Sequence, residues 1–541
     1  MTKTTAPTRT TWTLLLSCAL ALVLTALPAE AAPAASPPPG TPPGTVRLTL
    51  LHLNDVYQFQ PLANGRGGLA RVATLRAQAL KKSPHVLTLL AGDTLSPSVE
   101  SSAEIHGEAL KGRQMVDAWN ALGLDYAVVG NHEFDFGDDV LRARIRESRF
   151  TWLGANVVDA TTGQTFAGLK GWDIREVGGV RVGIFGVVLP ETQGASKAGP
   201  TTQFKPFCEA AQRAVADARA AGAQVVVALT HLEDSEDREL ARCVRVDAII
   251  GGHSHERMEE TVEGTPIYKL DEDAEDLGEL TLDVDAATGA VRSHAWKATP
   301  ITARIPESPA FTQAMKGYAP LLKELSQRVG RSPVPLDARS VENRLGETNL
   351  GSFVADAFRA ATGADVALCN GGAIRADRVL PAGPLTRREL YSLLPYRNDL
   401  VVVDVSGATL RAVLENGVSL SGKPKPPGRF PQVSGLRFAY DLDKPAGERV
   451  TRVEVGGKPL DPTATYRLAT LSFLTAGNDG YTMLKDLPPR PGTPTGATPW
   501  DVLATALRTG RPAPRARPDG RIQHVGGPVQ DAAHAPAPPM K

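Results

Sequence analysis

Cysteine is scarce in this sequence, four residues in 541, and one of the four, Cys18, falls inside an N-terminal apolar run. The other three, Cys208, Cys243 and Cys369, are an odd and widely spaced set. They exclude a disulfide-built scaffold and a CxxC metal site, and leave room for one internal bridge at most. An excess of charge of either sign is missing too, since Lys plus Arg and Asp plus Glu both total 59. Such a chain lacks the basic footprint that polymeric nucleic acid or an anionic membrane requires, although a local group of arginines can still hold a small anion. Long apolar runs are the third absence. The one candidate, residues 14–27, follows Lys3 and Arg9 and ends before Ala29-Glu30-Ala31, a small-x-small pattern suited to signal peptidase. It falls short of the about 20 residues that a membrane span needs. The expectation is therefore a cleaved signal peptide over 1–31, no stable membrane span afterwards, and an exported protein, periplasmic or extracellular.

What is present is enough chain for two or three domains. After a Pro/Ala-rich linker at 32–45, short apolar runs alternate with helical patterns: VRLTLLHL, VLTLLAGD, YAVVGN, VGIFGVV, VVVALTH and VDAIIGGH. They are apolar throughout, as strands covered on both faces should be. Between them, LARVATLRAQALKK places Leu69, Val72, Ala73 and Leu75 on one helical face, so residues 46–304 read as an α/β domain. FTQAMKGYAPLLKELSQRVG predicts a helical linker within 305–330. A second, smaller α/β domain is expected over 331–510, with a helix at LGSFVADAFRAATG and strands at LVVVDVSG and RVTRVEV. Residues 511–541 are rich in Pro and Ala without periodicity, which predicts a disordered tail.

Several apolar runs end in a residue able to bind a hard or borderline metal: Asp55, Asp93, Asn131, His231 and His253, with His255 two further on. The carboxyl ends of strands are where an open α/β sheet binds its ligands. One Asp or Asn after a strand is usually a turn residue, but the same property at five strand ends is hard to assign to turns. The contexts sharpen it: AGDTLSPS, GNHEFDFG, THLED and GGHSHE. Carboxylate, amide and imidazole together suit Zn, Mn, Fe or Co.

In these motifs and their order the sequence resembles the calcineurin-like metallophosphoesterases. Over nearly the whole chain after residue 45 it resembles the bacterial and animal 5'-nucleotidase and UDP-sugar hydrolase family. The resemblance implies a four-layer α-β-β-α sandwich joined to a nucleotide-recognition domain, and two divalent ions. Asp93 would bridge the ions, Asp55 and His255 would hold one, and Asn131, His231 and His253 the other. Paired ions make hydroxide available at neutral pH and polarise the phosphoryl oxygens it attacks. His132 is the candidate donor to the charge that develops, with Asp135 to hold its ring; Glu133 has the weaker case and reads as structural. The family's first motif is D-x-H, whereas here the third position is Tyr57. Three readings of it compete: a phenolate ligand, a hydrogen-bond donor to a metal-bound water, or a space filler. His255 keeps an imidazole where several 5'-nucleotidases carry glutamine.

The second domain holds RLGETNLG (344–351), CNGGAIR (369–375), LPYRND (394–399) and FLTAGNDGY (473–481). A glycine pair allows close approach of a ligand, and Arg375 just beyond can grip a carboxylate or phosphate with two N–H groups. The resemblance implies that Arg344, Asn370 and Arg375 contact phosphate or ribose-side oxygens. It also implies that Tyr396 and Phe473 sandwich a base, that Asp479 accepts from ribose hydroxyls and that Asn398 reaches the base. The expected activity is removal of the 5'-phosphate from nucleoside monophosphates by metal-bound hydroxide. The rivals are a 2',3'-cyclic nucleotide phosphodiesterase, a nucleotide-sugar diphosphatase, and a nucleotide-binding protein without hydrolysis.

Overall fold

A computed structural model describes residues 44–526, apart from 63, 106–107, 397, 424–426 and 492–497. The expected signal peptide, most of the linker at 32–45, and 527–541 of the expected tail lie outside the described residues. Strands β1 (Thr45–Leu53), β2 (Val86–Leu90), β3 (Tyr126–Val128) and β4 (Thr151–Leu153) run parallel side by side. A second sheet takes β5 (Trp172–Val177), β6 (Val180–Val188), β7 (Val225–His231), β8 (Ala248–Gly251), β9 (Met258–Val262) and β10 (Thr265–Lys269), with β6, β7, β8 and β10 parallel. The chain then returns to the first sheet as β11 (Asp276–Asp285), antiparallel to β1, and β12 (Val291–Pro300).

The two six-stranded sheets pack face to face. Alternate residues of each strand meet between them, Leu48, Leu50, Leu87, Leu89 and Val128 against Val182, Ile184, Val227, Leu229 and Ile250. Their other faces carry a second apolar layer, and helices cover it: α1 (Leu69–Lys82), α2 (Arg113–Leu122) and α3 (Asp138–Glu147), then α4 (Phe207–Ala220) and α5 (Asp234–Cys243). In α2 the sequence shows why: Met115, Val116, Trp119 and Leu122 fall at helical spacing and are buried, and Gly123, at φ 84°, ends the helix in a left-handed turn. This is the expected α-β-β-α sandwich. Cys208 of α4 and Cys243 of α5 form the single bridge the sequence allowed, and Cys369 is free and buried.

The segment expected as a helical linker is helical in short pieces. It consists of α6 (Pro309–Ala314), a tight turn at Met315–Tyr318 and α7 (Ala319–Leu325), after which Arg328–Ser332 is already a strand. Gly317 and Pro320 interrupt the periodicity that the apolar positions suggest. In the second domain α8 (Asn349–Thr362) packs on a sheet of β13 (Val366–Asn370), β14 (Leu400–Ser406), β15 (Pro431–Ser434) and Thr465–Leu471. A further sheet holds Leu436–Tyr440, Val450–Val455 and Ile522–His524.

That last strand corrects the expectation of disorder from 511 onward, because residues 511–526 are ordered. Ile522 pairs with Phe438, and the buried Arg521 guanidinium bonds Asp356, Asp519 and the Val433 carbonyl. One arginine and a three-residue strand order the segment. Neither leaves a mark on apolar periodicity.

Candidate active site

Each predicted ligand stands just past, or at the end of, a strand. Asp55 follows β1, Asp93 follows β2, Asn131 follows β3, His231 ends β7, and His253 and His255 follow β8. The parallel strands bring these ends together at one edge of the sandwich. Asp55, Asp93, His253 and His255 adopt φ of 52°, 55°, 77° and 55°, a left-handed conformation that costs non-glycine residues about 1–3 kcal/mol each. The glycines between them are spacers. A Cβ on Gly130 would lie 2.1 Å from Asp93 Oδ1, and one on Gly252 would lie 2.2 Å from the Ala91 carbonyl.

Hydrogen bonds aim the donor atoms. His231 Nδ1 lies 2.8 Å from the Ala91 carbonyl, which turns Nε2 to within 3.1 Å of Asp93 Oδ2. His255 Nδ1 meets Glu272 at 2.8 Å, turning its Nε2 to 3.1 Å from Asp55 Oδ1. The Asp55 Oδ2 atom accepts from the His253 amide, and Asp93 Oδ1 from the His132 amide, both at 2.9 Å. Tyr57 Oη sits 3.3 Å from Asp55 Oδ1, 3.4 Å from Asp93 Oδ2 and 3.1 Å from His255 Nε2.

The donor set fits metal ions. One donor atom each from Asp93, His231 and His253 lie within 4.8 Å of one another. Asn131 Oδ1 is buried with no hydrogen-bond partner among the described residues. The electrostatics agree. Burial disfavours a charged His231, yet Asp93 and Asp55 outweigh it and raise the ring to about 9. Burial likewise opposes charge on His255, and the bonds to Asp55 and Glu272 raise it to about 11. Protons on these rings balance buried carboxylates, and metal ions would take their place. His253 goes the other way, lowered to about 4 by burial and the His231 charge, so it is ready to donate a lone pair.

His132 and Asp135 are paired as expected, Nδ1 to Oδ2 at 2.7 Å. Burial works against the charged ring, but Asp93 and Asp135 raise its pKa, while Arg375 of the second domain pulls it down. Glu133 has a structural task, as its sequence context suggested. Its buried carboxylate accepts from the amides of Asp93, Thr94, Leu95 and Gly130, and so ties the Asp93 loop to the Asn131 loop.

Lys269, which the sequence did not single out, is fully buried at the end of β10. Its Nζ bonds the Leu232 carbonyl and Asp234 at 2.8 Å, Asp237 at 2.9 Å and Ser254 Oγ at 3.3 Å. The lysine thus fastens the loop after His231 to the loop that carries His253 and His255. Glu233 caps α5 with a reciprocal bond to Glu236 and lies 3.6 Å from His253 Nε2. Sequence could have flagged the THLEDSED run as a capping box, but Lys269 lies 35 residues from its partner Asp234 and almost as far from Asp237, and carries no local signal.

In the second domain, Asn370 Nδ2 donates to Asp479 Oδ2 at 2.8 Å, and Asn370 Oδ1 is buried without a described partner. Arg375 lies over the Tyr396 ring at 5.9 Å. Burial and the Arg375 charge both lower the pKa of Arg344. The aromatic residues Tyr396 and Phe473 are exposed, at 41% and 37%. Asn398 follows Tyr396 by two residues, and among the described residues no side-chain bond ties it to the others. A Cβ on Gly371 would lie 2.0 Å from the Asn343 carbonyl, which explains the glycine pair as a close crossing of two chain segments. Short α9 (Arg387–Leu393) joins this region to the first domain, with Arg388 on the buried Glu100 at 2.6 Å.

Comparison with known proteins agrees with this architecture. Residues 48–257 match the calcineurin-like phosphoesterase family, and residues 328–486 match the 5'-nucleotidase C-terminal domain. The chain is 30% identical over 499 residues to the snake venom 5'-nucleotidase of Naja atra, covering 82% of this chain and 92% of that protein. It is 29% identical over 528 residues to the trifunctional nucleotide phosphoesterase YfkN of Bacillus subtilis, a longer protein of which it spans 35%. A 5'-nucleotidase precursor from Thermus thermophilus superposes with a TM-score of 0.71 at 32% identity, covering 89% of this chain and all of the other. The chain belongs to the 5'-nucleotidase family of metal-dependent hydrolases, a calcineurin-like phosphoesterase domain followed by a 5'-nucleotidase C-terminal domain.

Proposed function

We propose that the protein is an exported phosphohydrolase that removes the 5'-phosphate from nucleoside monophosphates at a centre of two divalent ions, Zn, Mn, Co or Fe. Asp55 and His255 would hold one ion, Asn131, His231 and His253 the other, with Asp93 between them. Bound there, the pair would lower the pKa of coordinated water and polarise the phosphoryl oxygens.

The chain's own residues supply the rest. Protonated His132, kept so by Asp135, donates to the oxygen on which charge grows as the ester bond breaks. Arg344 and Arg375 bind the remaining phosphoryl oxygens. Tyr396 and Phe473 stack the base between aromatic faces and tolerate a change of base, since every base offers a π-face. Asp479, held by Asn370, accepts from ribose hydroxyls, and Asn398 reaches the base edge. The observation that carries this reading is the convergence of donor atoms from Asp93, His231 and His253 within 4.8 Å of one another, with the His132 amide on Asp93 and the His132 ring on Asp135; the Arg375 charge of the second domain acts on that same ring. The Cys208–Cys243 bridge supports export to an oxidising compartment.

The test is phosphate release from a panel of nucleoside monophosphates, 2',3'-cyclic nucleotides and nucleotide sugars, with each metal restored to stripped protein and His132→Ala as control. Preferred release from monophosphates supports the proposal. Preference for either other class reassigns the substrate, and no release with any metal leaves a binding protein.

A further inference from the structure

Three contacts converge on a phenol that has one proton. Tyr57 is buried, its amide held by Asp273 Oδ1 at 2.9 Å, and its Oη lies 3.1–3.4 Å from His255 Nε2, Asp55 Oδ1 and Asp93 Oδ2. A neutral phenol can donate to one of these atoms only, so its single proton cannot serve both carboxylate oxygens, Asp55 Oδ1 and Asp93 Oδ2, even when His255 Nε2 carries a proton of its own. Hydrogen bonding from the phenol alone does not account for the arrangement.

A shared cation does. Metal–oxygen and metal–nitrogen bonds are roughly 2.0–2.2 Å, so neighbouring donors around one ion stand roughly 2.8–3.1 Å apart at right angles and roughly 3.3–3.6 Å apart at tetrahedral angles. Among the four atoms Tyr57 Oη, Asp55 Oδ1, Asp93 Oδ2 and His255 Nε2, four of the six separations are 3.3, 3.4, 3.1 and 3.1 Å, the last from Asp55 to His255. These four separations match those between neighbouring donors in a coordination shell. We infer that Tyr57 is a phenolate ligand of the ion held by Asp55 and His255, completing with Asp93 a four-donor shell that favours a hard, highly charged ion over zinc. The inference rests on the two-ion reading above. On binding, the phenol O–H bond breaks, the proton leaves to solvent, and the oxygen lone pair forms the bond to the metal; no electron is transferred. A phenolate in place of a neutral imidazole adds one negative charge to the shell, and hard oxygen donors shift preference away from softer ions.

The test uses metal-stripped full chain and two probes. Ferric iron, added as its nitrilotriacetate complex, is expected to give a visible phenolate-to-iron charge-transfer band with phenolate modes in the resonance Raman spectrum. Zinc binding is expected to release one more proton per chain than in Tyr57→Phe and to produce a tyrosinate ultraviolet difference spectrum. Tyr57→Phe should bind metal without either signature, and equal thermal unfolding of the two metal-free proteins establishes that the fold is kept. Stoichiometric metal binding with no tyrosinate signature from either probe overturns the inference while leaving the two-ion site standing. A signature that survives in Tyr57→Phe assigns it to another tyrosine and overturns it too, and failure to bind any metal removes both readings together.

Discussion

The two halves of the candidate site are built on opposite principles. At the candidate metal-binding edge of the first domain, most donors are aimed by a neighbour. His231 is set by the Ala91 carbonyl, His255 by Glu272, Asp93 by the His132 amide, and four backbone φ angles are held in the left-handed region. In the second domain the recognising groups are less tied: Arg344 Nε and Asn370 Oδ1 lack described partners, and Tyr396 and Phe473 face solvent. On the proposed function, the first half is organised before anything binds, while the second would be completed by its ligand. Chemistry needs fixed geometry at the reacting atoms. Recognition of a nucleoside needs open aromatic faces and unpaired donors.

Substitutions can break this contrast, starting with the largest effect. Asp93→Asn removes the charge that both sets of ligands share and should abolish both metal uptake, read by elemental analysis, and phosphate release. His132→Ala should lower kcat roughly 10²- to 10⁴-fold with little change in KM, as loss of a proton donor does. Loss of Arg375 in Arg375→Ala should cost kcat/KM roughly 10- to 100-fold, the scale of one charge-assisted pair. A similar loss, roughly 10- to 100-fold, is expected in metal affinity for Lys269→Met, because the ligand loops lose their fastening while every ligand remains.

The smallest expected effect is a shift in pH profile. His132 has a raised pKa, so its donor form persists to higher pH and is lost as pH rises through that value. Asp135→Asn removes a group that raises it, and the basic limb of kcat should move to lower pH. Arg375→Ala removes a group that lowers it, and the same limb should move up. Shifts in the same direction for both variants would break the assignment of His132 as donor.

Much of the candidate metal-binding half was legible in the sequence because its candidate ligands are local: each follows or ends an apolar run, and some of the motifs carry glycines, such as Gly130 and Gly252, where a side chain would collide with a neighbouring loop. Lys269 was not legible, since its bonds to Asp234, Asp237 and Ser254 exist only once β10 is laid beside β8. The sequence left Tyr57 undecided between three roles, and the placement of its oxygen among Asp55, Asp93 and His255 is what supports the proposed ligand role. The order of residues 511–526 escaped notice because Arg521, a charged residue in a Pro-rich stretch, does there what apolar side chains do elsewhere.

The measurement that bears most directly on the division of labour is kcat/KM for AMP and for p-nitrophenyl phosphate, in the metal-loaded wild type and in the double variant Tyr396→Ala, Phe473→Ala. The substrates share a phosphoryl group and differ in having a nucleoside to recognise. The account predicts that the variant loses roughly 10- to 100-fold on AMP, the scale of base stacking, and keeps its rate on p-nitrophenyl phosphate. An equal fall on both substrates would contradict it, since the second domain would then be serving the chemistry and not the nucleoside.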